Sequence, residues 1–282
     1  MAGSVGKDGN IAQKTMPYQD VKDRFARDGF VSIRGILPTD IVEEWEDFGI
    51  EFFRKTFEHL HEYGHTAYPE HCRMRNGEKE FALGLGVKSG FREIVMRSPG
   101  RYEISILNSV KAGQGMPSLV RIKDLLAETV PILLEERSWE SLSVCNLSFV
   151  VSTPGSKEQA WHADGGHVSL REHLPCHVFN IFVPLRNVSL QMGPTEFRPG
   201  SHIYTRNLAP MMLAAKARKT LRAPAAPLLN RGDILVFDYR VLHRGLANRS
   251  GCNRSFLVLT VSKPWFKDIL NFPARSMHST VS

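Results

Sequence analysis

Gln159-Ala160-Trp161-His162-Ala163-Asp164 sets an imidazole and a carboxylate two residues apart. On an extended strand residues i and i+2 face the same side, so His162 and Asp164 can reach one metal ion. A third donor lies far downstream, in Val236-Phe237-Asp238-Tyr239-Arg240-Val241-Leu242-His243-Arg244-Gly245, where His243 is the candidate. Two imidazoles and one carboxylate, with other metal positions open, is the donor set of iron(II) oxygenases. The short pair alone says little. Eleven His among 282 residues, with as many Asp, give about 0.4 His-x-Asp pairs by chance. The surroundings carry the weight.

Around that stretch the chain reads as short strands. Val144 to Val151, Val178 to Leu185, Ile234 to Phe237 and Phe256 to Val261 are apolar runs separated by Gly, Pro and Asn. That spacing predicts an antiparallel sandwich or barrel, with a β-core over about 143–262. The N-terminal half reads differently. Val21 and Phe25 predict a short helix over 18–28, with Gly29 as its stop, followed by a strand at Phe30-Val31-Ser32-Ile33. Asp40 and Glu43 resemble a capping box. Ile41, Trp45, Phe48 and Phe52 then recur at helical spacing to about Leu60, an aromatic stripe read as core. His61 to Gly100 is Gly-rich and read as irregular loops. Ser118 to Glu136 is read as helical, with Leu119, Ile122, Leu125 and Leu126 on one face, and Pro131 kinking or dividing it.

Composition narrows the classes. Apolar residues make up 42% of the chain, enough for a core. No run of eighteen apolar residues occurs, so no membrane span is expected. Residues 1–16 are polar and Gly-rich with no apolar signal core. They are read as a disordered tail, with one domain over 17–270 and a C-terminal tail over 271–282. A cytoplasmic location follows as an expectation. Cys72, Cys145, Cys176 and Cys252 are then free thiols, and the Asn-x-Ser sequons carry no sugar. The net charge of +7 is spread without a basic run, so no nucleic-acid partner is expected.

Several stretches together resemble the phytanoyl-CoA dioxygenase family of Fe(II)/2-oxoglutarate oxygenases. They are Arg27-Asp28-Gly29-Phe30-Val31-Ser32-Ile33-Arg34-Gly35-Ile36-Leu37, Trp161-His162-Ala163-Asp164, Met192-Gly193-Pro194-Thr195-Glu196-Phe197-Arg198-Pro199-Gly200-Ser201-His202, and Gly232-Asp233 through His243-Arg244-Gly245 to Asn253-Arg254-Ser255. Met192 stands where the family commonly has Asn. The resemblance spans about residues 18 to 262. It implies a double-stranded β-helix, a jelly roll that is mainly β with flanking helices. It implies that His162, Asp164 and His243 hold Fe(II) and form the catalytic centre. 2-Oxoglutarate would chelate the metal, O₂ would bind beside it, and succinate and CO₂ would leave. Arg254, eleven residues after His243, corresponds to the family's Arg for the distal carboxylate, which a guanidinium fork can grip twice. By the same resemblance Thr195 and Gln159 lie near the co-substrate. His167 is a candidate substrate-pocket residue or a solvated loop histidine. His202 is read as a structural turn residue. The expected substrate is a small organic molecule, with hydroxylation the default and desaturation, epoxidation or peroxide bridging open. Thr280-Val281-Ser282 is not a Ser-Lys-Leu peroxisomal address, which makes a secondary metabolite at least as apt as an acyl-CoA.

Two rival readings come from other classes. His61-Glu62-Tyr63-Gly64-His65 is formally His-Glu-x-x-His, a zinc metallohydrolase motif, and His71 falls at a possible third ligand. Gly64 inside the required helix, Tyr68 in place of a turn glycine, and Pro69 oppose it. The other rival is a non-catalytic jelly-roll binding protein, which an intact His, Asp, His and Arg set opposes.

Overall fold

The computed structural model describes residues 17–62, 94–98, 100–106, 117, 119–205, 213, 216–217, 219–220 and 222–268. Both expected tails lie outside the described residues, and so does most of the segment read as loops. No helix among the described residues is long and apolar enough to cross a membrane.

Helix α1 (Tyr18–Asp28) forms as expected, with Val21 and Phe25 buried on one face. Gly29 ends it at φ 81°, its N–H bonding Phe25 O at 2.8 Å. A Cβ at Gly29 would stand 2.6 Å from His202 Nδ1, so both conformation and space require glycine. Strand β1 (Phe30–Ile33) follows at once. In α2 (Thr39–Glu62) the residues Ile41, Trp45 and Phe52 are buried, so the aromatic stripe is core. The anticipated capping box is absent. The helix starts at Thr39, which puts Asp40 inside the first turn. Its carboxylate takes Arg121 Nη2 at 2.6 Å, and Glu43 takes Arg231 Nη1 at 3.0 Å. Pro131 divides the next helical stretch instead of kinking it, giving α3 (Leu119–Leu126) and α4 (Val130–Leu133), with the proline at the start of α4 where no backbone donor is needed. Ile122 and Leu126 are buried, but Leu125 is exposed and off that face.

Two strands escaped the sequence reading: β2 (Ile94–Ser98), inside the segment taken as loops, and β3 (Arg101–Ser105). Arg-Tyr-Glu-Ile-Ser alternates polar and apolar, the signature of a strand with one polar face. Tyr102 and Ile104 pack in the helix-side core. The remaining strands are β4 (Ser143–Ser152), β5 (Val178–Pro184), β6 (Thr195–Phe197), β7 (Ile234–Asp238), β8 (His243–Gly245) and β9 (Arg254–Ser262).

The large sheet has seven strands in the order β1-β7-β5-β9-β4-β3-β2, all pairs antiparallel. The small sheet pairs β6 with β8. Two isolated bridges widen it, His162 to His243 on one side and Phe197 to Ala225 on the other. Together they make the expected double-stranded β-helix. The central strands β5, β7 and β9 read as largely apolar runs because both of their faces are covered. On β9, Leu257, Leu259 and Val261 join the core under the helices, whereas Phe256 and Val258 join a second core between the sheets. Ile234 and Val236 divide from Leu235 and Phe237 in the same way on β7. This parity aims Arg254 and Thr260 on β9, and Asn180 and Phe182 on β5, into the space between the sheets, where they line a cavity.

Candidate metal centre

His162 is not on a ladder strand, as the spacing argument supposed. It makes a single antiparallel bridge with His243, His162 N–H to His243 O at 3.0 Å and the reciprocal bond at 2.9 Å. Asp164 follows in a bend. Its N–H and that of Gly165 both reach Tyr239 O, at 2.9 and 3.1 Å. The spacing therefore finds the right pair, but the backbone of the 239–243 segment is what aims it. Nε2 of His162 lies 3.8 Å from Asp164 Oδ1, and Nε2 of His243 lies 3.6 Å from Asp164 Oδ2. The three donor atoms all fall within 4.8 Å of one another, and no other such group occurs among the described residues.

The imidazoles are set for a metal. Nδ1 of His162 meets Ala160 O at 2.9 Å, and Nδ1 of His243 meets Val241 O at 3.1 Å. Each carbonyl accepts only if Nδ1 carries the proton, which leaves both Nε2 atoms as bare lone pairs facing Asp164. His243 is buried, and desolvation pulls its pKa down to about 4, so it is neutral near pH 7. Two imidazole Nε2 donors and one carboxylate fit a divalent iron.

The cavity beside the triad holds about 330 Å³. Arg254, 1% exposed, donates through Nη2 to Ser152 Oγ at 2.9 Å and through Nη1 to Gly193 O, while its Nε finds no acceptor among the described residues. Arg101, also 1% exposed, sits beside it and was not anticipated. It donates through Nη2 to Leu246 O at 2.7 Å and through Nε to Ser98 Oγ at 3.3 Å. Desolvation lowers Arg101 to about 10 and Arg254 well below the usual arginine range, with the charge of Arg101 adding to the latter. Among the described residues no carboxylate pairs with either. Two buried guanidiniums without a counter-ion leave an anion-shaped need at this end of the cavity.

Thr195 and Gln159 line the same cavity, and Gln159 Oε1 accepts the Gly245 N–H at 2.9 Å. His167 is not among the described lining residues. Its Nε2 meets Thr205 Oγ1 at 2.8 Å, and its ring lies 5.9 Å from that of His173. Glu103, Asn180 and Tyr239 also line the cavity and were missed. Asn180 had a readable signal, a polar break in an apolar run. Of the zinc motif, His61 and Glu62 close α2, and His65, Tyr68 and His71 lie outside the described residues.

A family model described as phytanoyl-CoA dioxygenase (PhyH) matches residues 25–256. The chain belongs to the phytanoyl-CoA dioxygenase family. It is therefore a non-haem iron, 2-oxoglutarate-dependent enzyme. Solved structures share its fold. AviO1 from Streptomyces viridochromogenes Tue57 superposes with a TM-score of 0.59 at 20% identity, over 91% of this chain and 99% of that one. The epimerase SnoN, in complex with Fe³⁺, alpha-ketoglutarate and nogalamycin RO, gives 0.54 at 15% identity over 87% and 83%. HygX from Streptomyces hygroscopicus, with nickel and 2-oxoglutarate bound, gives 0.50 at 14% identity over 88% of each chain.

In this PhyH-family chain the Met192–His202 segment is scaffold for the metal side. Ser201 Oγ accepts the Leu242 N–H at 2.8 Å, next to the ligand candidate His243. His202 is buried with Nε2 on Ala26 O at 3.1 Å, so its role is structural, as read from the sequence. Trp161 has two guanidiniums over its ring, Arg198 at 4.6 Å and Arg244 at 4.7 Å from the ring centre, which packs the residue before His162.

Proposed function

We propose that this enzyme oxidises a small organic molecule, with hydroxylation as the default outcome, at an iron held by His162, Asp164 and His243. The observation that carries the reading is the convergence of two imidazole Nε2 atoms and one carboxylate at the edge of a cavity lined by two buried arginines that have no carboxylate partner among the described residues. Bound iron and 2-oxoglutarate supply an oxidant strong enough to remove hydrogen from carbon, with succinate and CO₂ as by-products. The chain does the rest. Arg254, with Arg101 beside it, grips the distal carboxylate, while Thr195 and Gln159 line the co-substrate end. Phe182 and Val258 keep the floor apolar, which limits water at the centre. The complex of SnoN with nogalamycin RO supports a natural-product substrate of similar kind.

The test is succinate formation by the purified full chain with Fe(II), 2-oxoglutarate and O₂. His162→Ala and His243→Ala should each abolish it and lower bound iron while the protein stays folded. Wild-type succinate formation by either variant would refute the ligand assignment.

A further inference from the structure

Asn180 is the single polar residue of β5, Val178-Phe179-Asn180-Ile181-Phe182-Val183-Pro184, and is only 4% exposed. A buried carboxamide is tolerated when its donor and acceptor are both used. Here Nδ2 donates to Asp164 Oδ2 at 2.7 Å, and Oδ1 accepts from Thr260 Oγ1, also at 2.7 Å. Thr260 is the cross-strand partner of Asn180 on β9 and is 3% exposed. A carboxylate can only accept, so it draws the amide NH₂ end toward itself. The Thr260 hydroxyl then donates to the opposite end. All donors in this chain run one way, from β9 through β5 to Asp164, so each bond polarises the next.

Asp164 needs such a brace, because it sits in a bend where strand pairing does not orient its side chain. We propose that Asn180, backed by Thr260, is a positioning residue of the metal centre. It holds the Asp164 carboxylate in the rotamer that faces both imidazoles and so preorganises the site before any ion arrives. This inference rests on His162, Asp164 and His243 being the ligands.

The experiment titrates Mn(II) and Co(II) into the metal-free full chain without co-substrate. It compares wild type, Asn180→Leu, Thr260→Val, Thr260→Ser and His162→Ala, and records the melting temperature of each metal-free protein and the Co(II) visible spectrum. Asn180→Leu keeps the size and removes the bond, so its metal affinity should fall about 10- to 100-fold, the usual cost of losing an outer hydrogen bond to a ligand. Thr260→Val should weaken binding about 2- to 10-fold, the loss of one neutral hydrogen bond. Thr260→Ser, which retains the hydroxyl, should match wild type. The Co(II) spectrum should change in the first two variants, and their metal-free melting temperatures should stay near wild type. Should Asn180→Leu not fold, the contrast between Thr260→Val and Thr260→Ser decides. Unchanged affinity in Asn180→Leu and Thr260→Val, with metal lost in His162→Ala, overturns the brace alone. So does an affinity loss that only tracks a drop in melting temperature. Metal retained in His162→Ala would overturn the ligand set itself.

Discussion

Arg254 and Asp164 show how much rests on single atoms at this centre. Arg254→Lys keeps a charge but loses the planar fork. One charge-assisted hydrogen bond is worth about 1.5–3 kcal/mol. The Michaelis constant for 2-oxoglutarate should therefore rise about 10- to 150-fold. Metal affinity should hold, since Arg254 is not a ligand candidate. A constant equal to wild type would remove Arg254 from the co-substrate site. Asp164→Glu tests geometry in a different way. One added methylene shifts the carboxylate by about 1 Å, and displacement on that scale costs roughly 10²-fold in turnover. Activity within threefold of wild type would mean that the bend carrying Asp164 adapts freely.

Strand β8 carries more constraint than its three residues suggest. His243 faces the metal site, and two positions on, a Cβ at Gly245 would come within 2.1 Å of Arg101 Nη1 and 2.8 Å of Gln159 Oε1. Gly245→Ala must displace the Arg101 guanidinium from its place in the cavity wall. We expect a rise of about tenfold or more in the 2-oxoglutarate Michaelis constant, the loss of roughly one charge-assisted contact, with metal binding retained. Loss of metal with an unchanged constant would place the damage in β8 itself. At the end of α2, Glu62→Gln should leave 2-oxoglutarate turnover within a few-fold of wild type, and a complete loss in a folded variant would revive the zinc reading. The buried pair Asp238–Arg240 supports the other side of the centre. Arg240 grips both Asp238 oxygens, at 2.8 and 2.7 Å, and its Nη1 reaches Leu174 O at 2.9 Å, tying the segment after Asp164 to the end of β7.

The whole molecule carries a pH dependence through His177. Its ring is buried against Trp265, 5.6 Å away, and Phe266, 5.0 Å away, and its carbonyl accepts the Lys263 N–H at 2.9 Å. Desolvation, helped by the charge of Arg240, lowers its pKa from 6.5 to about 4. The unfolded chain then takes up a proton that the folded chain refuses. Stability from this residue is complete above pH 6.5 and is lost as pH falls toward 4, by about 2 kcal/mol between pH 7.5 and pH 5. Urea unfolding at those two pH values should show His177→Phe losing less stability on acidification than wild type. Equal losses would mean that the ring takes up its proton without unfolding.

Local pattern determined the strands β4, β5, β7 and β9, the helix stop at Gly29, the aromatic face of α2 and the break near Pro131, because each is set by neighbours within a turn or a strand. His162 and Asp164 were legible as a candidate pair from their spacing, whereas His243 and Arg254 became candidates through motifs that resemble the family. Tertiary structure alone decided the rest. Arg101 and Asn180 belong to the centre only because β3 and β5 reach the cavity through strands far away in sequence, and a polar residue on a strand does not announce which face is buried. Asp40 and Glu43 carry a capping pattern, yet Arg121 and Arg231, brought in by folding, take their carboxylates instead. The approach of the two histidines likewise depends on one bridge and on Tyr239 O, long-range backbone bonds that side-chain identity does not encode.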